Sequence, residues 1–541
     1  MLGSRSVRDN IFLACIQDIG MGSPGFHKML KSPSIILRVA KVIGGALLMG
    51  LIGVLALQAF TWNREAVFYG GEVYFTDGDC YSRMTRARMI GEEGLQSIFH
   101  HAWENFPEGT TPHTTMPLDL LITGFSAALA PFSARHLEIA GAWVSPVLGL
   151  MTVFFLMIWG AAVKTPNWWS MGLMAGVSPI LAHGFELGRP DHQSLLVLMI
   201  AVALAAEVEI WRKIETRWSY VSAVAWAIAL WVSLFEPAVL LSAVLATRLL
   251  ARRLRLGLKP LTAFFGILAL DLLIDGWRAA AFHEAFDRWA LNIGELRSAG
   301  MGVILAWCGW LVVAAAVILA WRAARGAGSI CAVFAGLLVL LGALGFWHAR
   351  WGYFLALVFA MSLPWVLAAF RWHWLGILIL LVSLWPVAEE WEKLLYPKGE
   401  VFQSRIEKLA DAVALREAAL AIQNLPEGGV LAPWWFSPAI VWWSGHPCIG
   451  GSSHQSLPGI VDSCRFYLST EDSAAREIVR QRQVVYVFAY EPERVVSNCN
   501  QILGEKSNGG TLAERLYKNS PPPWLETVFR NRFFRVYRVA D

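Results

Sequence analysis

Gly188-Arg189-Pro190-Asp191-His192-Gln193 interrupts an apolar chain: one hydrophobic run, 171–187, ends there and another begins at Ser194. An Arg, an Asp and a His between two helix-length hydrophobic segments place Asp191 where one membrane helix exits and the next enters. Ionisable groups at such a depth are costly, so they point to function. The plainer role for Asp191 is to cap the helix starting near Gln193.

The surrounding composition supports the membrane reading. The chain has 541 residues, 56% hydrophobic and 16% charged, with 27 Trp and a mean hydropathy of +0.48, too apolar for an ordinary soluble protein. The lipid bilayer is therefore its first partner, and no nucleic acid partner is expected. The net charge of +4 matters less than where the Lys and Arg fall. The seven Cys form no CxxC pair or His-spaced cluster, which excludes the usual zinc and iron–sulfur patterns. Cys448, Cys464 and Cys499 could supply one disulfide in an exported tail.

Lengths and basic clusters set the expected topology. Residues 1–34 carry Arg5, Arg8, Lys28 and Lys31 and read as a cytoplasmic N-terminal segment before an uncleaved signal anchor at 39–62. Residues 118–130, between Pro117 and Pro131, fall short of the roughly 17–25 that a spanning helix needs, so they lie in or against the outer interface. Lys164 then falls inside and Asp191 outside. Most later Lys and Arg clusters, including Arg212 with Arg217, 252–259, Arg322 with Arg325, and Arg371, fall inside, as the positive-inside rule asks. About eleven crossings result, 301–321 among them as one span. The short spans 220–234 and 237–250 flank Glu236; merging them would flip everything downstream, against the 252–259 cluster.

The expected organisation is a transmembrane domain, 35–389, with external loops 63–117, 188–193 and 275–300, then a C-terminal extracytoplasmic domain, 390–541. Residues 404–425 have helical periodicity, while 484–490, 533–539 and Val430-Leu431 read as strands, which suggests a small α/β domain. The expected fold class is thus an α-helical polytopic membrane protein of about 11 to 13 transmembrane helices with a C-terminal α/β domain. Its place is the inner (cytoplasmic) membrane, N-terminus cytoplasmic.

In this topology three acidic loops share the external face: Asp77 and Asp79 in the first, Asp191 in the second, Glu295 in the third. Oxygen ligands from separate loops suit Mn²⁺ or Mg²⁺, which would stabilise a departing phosphate or pyrophosphate. Asp79 is preferred over Asp77, being followed by Tyr81 and the basic run Arg83, Arg86, Arg88. Arg350, in His348-Ala-Arg-Trp-Gly-Tyr353, stands at the external end of two helices, suited to phosphate oxygens; as a bland alternative it snorkels beside interfacial Trp. His192 reads more as a loop or capping residue than a base. Asp271 sits near the outer end of a span.

These motifs, in this order, resemble the catalytic subunit of oligosaccharyltransferase and its single-subunit prokaryotic relatives, with the type C glycosyltransferase fold. The motifs are an acidic DGDCY in the first external loop, GRPDHQ, IGEL at 293–296, RWGY at 350–353, and a Trp434-Trp435 turn opening the tail domain. The resemblance implies that Asp79, Asp191 and Glu295 hold the metal and engage the acceptor, that Arg350 lies near the lipid-linked pyrophosphate, and that Trp434 and Trp435 bind the acceptor. It implies a polyprenyl-linked glycan donor and a protein or glycolipid acceptor. The chain departs from the pattern at Phe436, where the family's turn has an Asp that receives the sequon hydroxyl, and at Gln193, where a second acid is often found. Phenylalanine accepts no hydrogen bond.

Three alternatives stand beside a sequon-directed transferase. A relative could use a polyprenyl-linked sugar to modify a lipid, a polysaccharide or a non-sequon protein site, as Phe436 favours. A transporter or flippase would carry charges within its spans, which read as nearly free of them apart from Asp271. An inactive scaffold is disfavoured by the retained acids, and Trp434 and Trp435 could simply pack the tail onto the membrane face.

Overall fold

Long apolar runs fold as helices because a backbone surrounded by lipid must satisfy its own N–H and C=O groups. The computed structural model describes residues 33–93, 99–112, 114–212, 216–252, 257–277, 283–507 and 509–540. The N-terminal segment to residue 32, residues 253–256 of the basic cluster and residues 278–282 of the third acidic loop lie outside them.

Six helices among the described residues are long and apolar enough to cross a membrane: Val39–Phe60, His136–Ala162, His192–Arg212, Ser329–Trp347, Ala349–Leu367 and His373–Leu395. Two of them, His192–Arg212 and Ala349–Leu367, form the interior of the bundle. Val39–Phe60 and His373–Leu395 instead leave large apolar side chains such as Val42, Leu47, Leu378 and Val382 exposed, as lipid-facing helices do. The protein is a multi-pass membrane protein.

Six long helices are fewer than the expected eleven crossings, and the difference has local causes. The run 168–187 is divided into Trp169–Val177 and Pro179–Gly184, because Pro179 has no N–H and holds Ser178 extended. Helices Thr216–Val232, Phe235–Leu250 and Leu258–Ile274 have 17, 16 and 17 residues. The span expected at 301–321 breaks into Met301–Cys308 and Leu311–Ala324, bent by 79°. At that break Gly309 has φ of +78°, and a Cβ there would lie 2.3 Å from the Ser383 carbonyl oxygen. Counted as one span, this pair would make seven. The helices are also less free of charge than the sequence reading holds: Glu207 is buried within His192–Arg212, paired with Arg248 at 2.6 Å.

Residues 116–129 form a single short apolar helix, Met116–Leu129, and it anchors the first acidic loop. Its Asp119, fully buried, accepts a hydrogen bond from Arg83 and pairs with the charge of Arg86, at 2.8 Å each, and both arginines lie on helix Gly78–Glu93, which begins beside Asp77 and Asp79.

After helix Gly399–Leu420 the tail builds a four-stranded mixed sheet in the order Gly429–Leu431, Val484–Ala489, Arg535–Val539, Leu525–Arg530. The first pair is parallel and the others antiparallel. Strand Leu525–Arg530 is one the sequence reading does not identify. Cys448, Cys464 and Cys499 are buried free thiols. The tail docks on helix Gly78–Glu93 and on the loop that follows it. Arg88 lies over the Trp442 ring at 3.7 Å, Phe106 N donates to Cys448 O, and Glu104 accepts from Ser82 and Ser456.

Removing one partner from a buried charge network strands the others. Asp119→Ala is expected to cost about 3–5 kcal/mol, read as a lower unfolding midpoint of the purified protein in detergent. An unchanged midpoint would show that this network does not hold the first acidic loop.

Candidate active site

The Gly188–Gln193 turn is pinned on every side before it presents any side chain. Gly188, at φ +75°, donates its N–H to Ala142 O, while its carbonyl accepts from Thr76 N; a Cβ there would lie 2.8 Å from a Val67 methyl. Leu187 N donates to Phe60 O, and Asn63 donates to Leu187 O. Ser145 donates to Arg189 O. Pro190 restricts Arg189 from its other side. The turn is therefore fixed by helices Pro33–Phe60 and His136–Ala162 and by the segment leading to Asp77.

What this turn aims is the guanidinium of Arg189. One amino group donates to Asp77 Oδ2 at 2.8 Å; the other lies 3.5 Å from Asp191 Oδ2 and 3.5 Å from Glu295 Oε1. Asp77 also caps helix Gly78–Glu93 by accepting from Cys80 N. Asp191 meets His192 Nδ1 at 2.7 Å and accepts from the His192 backbone N–H. Glu295 accepts from Tyr353 Oη at 3.1 Å, and that hydroxyl shares a further hydrogen bond with His183. The loop carrying Glu295 is tied to the Arg350 turn, because Ala349 N donates to Arg297 O.

The first-loop acids divide their work differently from the sequence preference. Asp77 makes the contact with Arg189, whereas Asp79 is exposed beside it and neighbours Ser452 of the tail. Crowding by surrounding protein, then the Asp77 and Asp191 carboxylates, push the Asp79 pKa up to about 7. Because Asp79 opens to solvent, the like-charge repulsion is the firmer of these causes. Burial works against ionisation of Asp191, but His192, Arg189 and Arg83 outweigh it and hold its pKa well below the usual carboxylate range. Glu295 is raised by burial and by Asp191, with Arg189 and Arg350 pulling the other way.

Arg350 sits at the rim of the cluster, paired with the buried carboxylate of Glu236, which also accepts from Ser233 at 2.6 Å. Its Nε is buried without a hydrogen-bond partner among the described residues. Trp434 is linked to the Glu295 loop through its neighbours. Its ring packs edge-on against Trp289, which adjoins Phe286 and, beyond it, His454. Its Nε1 donates to Asn498, and Asn498 donates to Asn292, in the same stretch as Glu295. Trp435 faces Arg494 and Phe436. Phe436 itself points into the tail, against Tyr490 and Phe534.

Sequence reasoning assigns Mn²⁺ or Mg²⁺ to Asp79, Asp191 and Glu295. These are the hard oxygen donors that such ions take. Yet among the described residues no three or more His, Cys, Asp or Glu side chains are grouped so as to hold a metal ion, and Arg189 stands between Asp77, Asp191 and Glu295. As folded, the donor set does not fit the ion.

Arg189, Glu236, Tyr353 and Ser452 contact the site without having been assigned a role from sequence. Arg189 could have been found, since it is the one fixed cation inside the hexapeptide. Glu236 stands out in the sequence only as a charge between two short apolar runs and Ser452 carries no local signal, because only the packing of distant segments brings them near the site.

No protein-family model matches the chain, and no curated protein matches it in sequence. Its fold, however, is found among solved structures. The apo oligosaccharyltransferase of Archaeoglobus fulgidus aligns with a TM-score of 0.66 and 12% identity, covering 87% of this chain and 72% of that one. The archaeal oligosaccharyltransferase AglB of the same organism, in complex with an inhibitory peptide and a dolichol-phosphate, aligns at 0.66 and 13%, covering 88% and 72%. ArnT from Cupriavidus metallidurans in the apo state aligns at 0.51 and 10%, covering 93% and 98%. The chain is similar across most of its length to both proteins, and its fold is that of the type C glycosyltransferases.

Proposed function

We propose that the protein is a membrane glycosyltransferase that moves a glycan from a polyprenyl diphosphate carrier to an acceptor on the external face of the inner membrane. The observation that carries this reading is the convergence of Asp77, Asp191 and Glu295, from three separate loops, on one point of that fold, with Asp79 open to the cleft beside them. The complex of the similar archaeal enzyme with an inhibitory peptide and a dolichol-phosphate supports a lipid-linked donor and a peptide-like acceptor. The reading keeps the topology of about eleven crossings, with the N-terminus cytoplasmic and both the cleft and the tail outside.

In this reaction a nitrogen or oxygen of the acceptor attacks the anomeric carbon of the donor glycan. The bond from that carbon to the phosphate oxygen breaks, and its electron pair leaves on the pyrophosphate. The acceptor's proton passes to a carboxylate. Asp79, open to the cleft and with a pKa near neutrality, is suited to receive it. Arg350 supplies charge for the leaving pyrophosphate, which competes with Glu236 for its guanidinium. Trp434 and its neighbours give the acceptor a flat, partly apolar wall.

A second reading of the acceptor rests on Phe436. Its ring fills the tail's aromatic cluster, so the position from which the resemblance expects an acid to receive a sequon hydroxyl carries packing instead. This favours an acceptor other than an Asn sequon: a glycolipid, a polysaccharide or a different protein site.

Asp79→Ala, which removes the carboxylate that receives the acceptor's proton, is expected to reduce transfer from a labelled polyprenyl diphosphate donor by about 10²- to 10⁴-fold. Transfer to a sequon peptide would establish the oligosaccharyltransferase acceptor, transfer only to a lipid and protein extract would establish the second reading, and full activity in the variant would sink the assignment. Arg350→Ala removes a hydrogen bond to a charged group, worth about 1.5–3 kcal/mol. Its donor KM should rise roughly ten- to a hundred-fold while the acceptor KM holds; the opposite pattern would move Arg350 away from the donor phosphates.

A further inference from the structure

The acids of this site already have a cation. Arg189 reaches Asp77 at 2.8 Å and Asp191 and Glu295 at 3.5 Å each, through two amino groups of one guanidinium. It is not a loose surface arginine, since its side chain is only 11% exposed. Its backbone is held at both ends, by Arg189 N donating to Glu186 O and by Ser145 donating to Arg189 O. Its charge does not depend on pH in any working range, because an Arg guanidinium keeps its proton in proteins. A divalent ion would need carboxylate oxygens converging at roughly 2.0–2.6 Å, and here a guanidinium stands between those of Asp77, Asp191 and Glu295.

Three carboxylates share the Arg189 guanidinium, while Asp79, beside them, is in no ion pair among the described residues. Gln193, two residues after Asp191, is 1% exposed and neutral, and neither its amide oxygen nor its amide nitrogen has a hydrogen-bond partner among the described residues. It adds no negative charge that a second cation would balance. The remaining contacts of the acids are also in place without an ion: His192 for Asp191, Tyr353 for Glu295, and the helix N-terminus for Asp77.

We propose that Arg189 is the site's built-in cation, a positioning residue that holds Asp77, Asp191 and Glu295 in register and occupies the place a divalent metal would take, so that this chain works without one. The proposal rests on the glycosyltransferase reading for its meaning, but not for its test. The place is filled by a group that the chain itself supplies, and Arg189→Ala would open it to a metal.

The experiment uses the full chain in lipid nanodiscs, stripped with chelator and titrated with Mn²⁺ while the free-ion EPR signal is followed. Wild type is expected to leave that signal unchanged, and Arg189→Ala to take up a single Mn²⁺ that Asp191→Ala abolishes in the double variant. In parallel, donor turnover by wild type should be insensitive to EDTA. Turnover by Arg189→Ala should be lost in EDTA and partly restored by Mn²⁺, with Arg189→Lys retaining metal-independent turnover. A wild-type chain that binds one Mn²⁺, with the binding lost in Asp191→Ala, or whose turnover stops with chelator, would overturn the proposal. That arm needs no Arg189 variant to fold. If wild type binds no Mn²⁺ and also consumes no donor, the glycosyltransferase reading fails while the built-in cation stands, so the two failures are separable.

Discussion

Carboxylates gathered at one point repel one another, and something positive must hold them together or their protons return. Here that something is the Arg189 guanidinium, touching acids that lie more than a hundred residues apart in the chain. Much of the surrounding structure serves to keep it there. Gly188 lets the backbone pass Val67 at a distance no other residue allows, and Ser145 fixes the Arg189 carbonyl. Asp119, buried beneath two arginines, fixes the helix that starts beside Asp77.

The membrane bundle and the tail domain meet along a seam of mixed chemistry rather than a purely apolar one. Arg88 stacks on Trp442, Arg416 pairs with Glu72, and Glu104 ties Ser82 to Ser456. Charged and polar partners fix relative orientation more tightly than apolar contact, which tolerates sliding. That orientation matters because the tail brings Ser452 to Asp79 and Trp434 to Trp289. The cleft is thus completed by a domain that begins some three hundred residues after its first acid.

Phe436 and Gln193, the two departures from the resemblance, are both settled into the interior. Phe436 joins the aromatic packing of Tyr490 and Phe534. Gln193 is buried in the first turn of its helix. Aromatic packing accommodates Phe436, whereas both amide atoms of Gln193 are buried without a hydrogen-bond partner among the described residues.

The membrane class, the short helix at 116–129, the tail strands around Val430, Val484 and Val536, and the acids at 77–79, 191 and 295 were legible in the sequence. Each is a local signal of hydrophobic length, alternation, or a costly charge in an apolar run. The count of long spans was less legible, because Pro179 and the tight contact at Gly309 break runs whose hydropathy is continuous. Which first-loop acid touches the cluster, the pairing of Arg350 with Glu236 and the central place of Arg189 were decided only by tertiary structure. A sequence says that a charge is present. Which opposite charge it meets depends on distances across the fold, and Coulombic and hydrogen-bond energies are set by those distances.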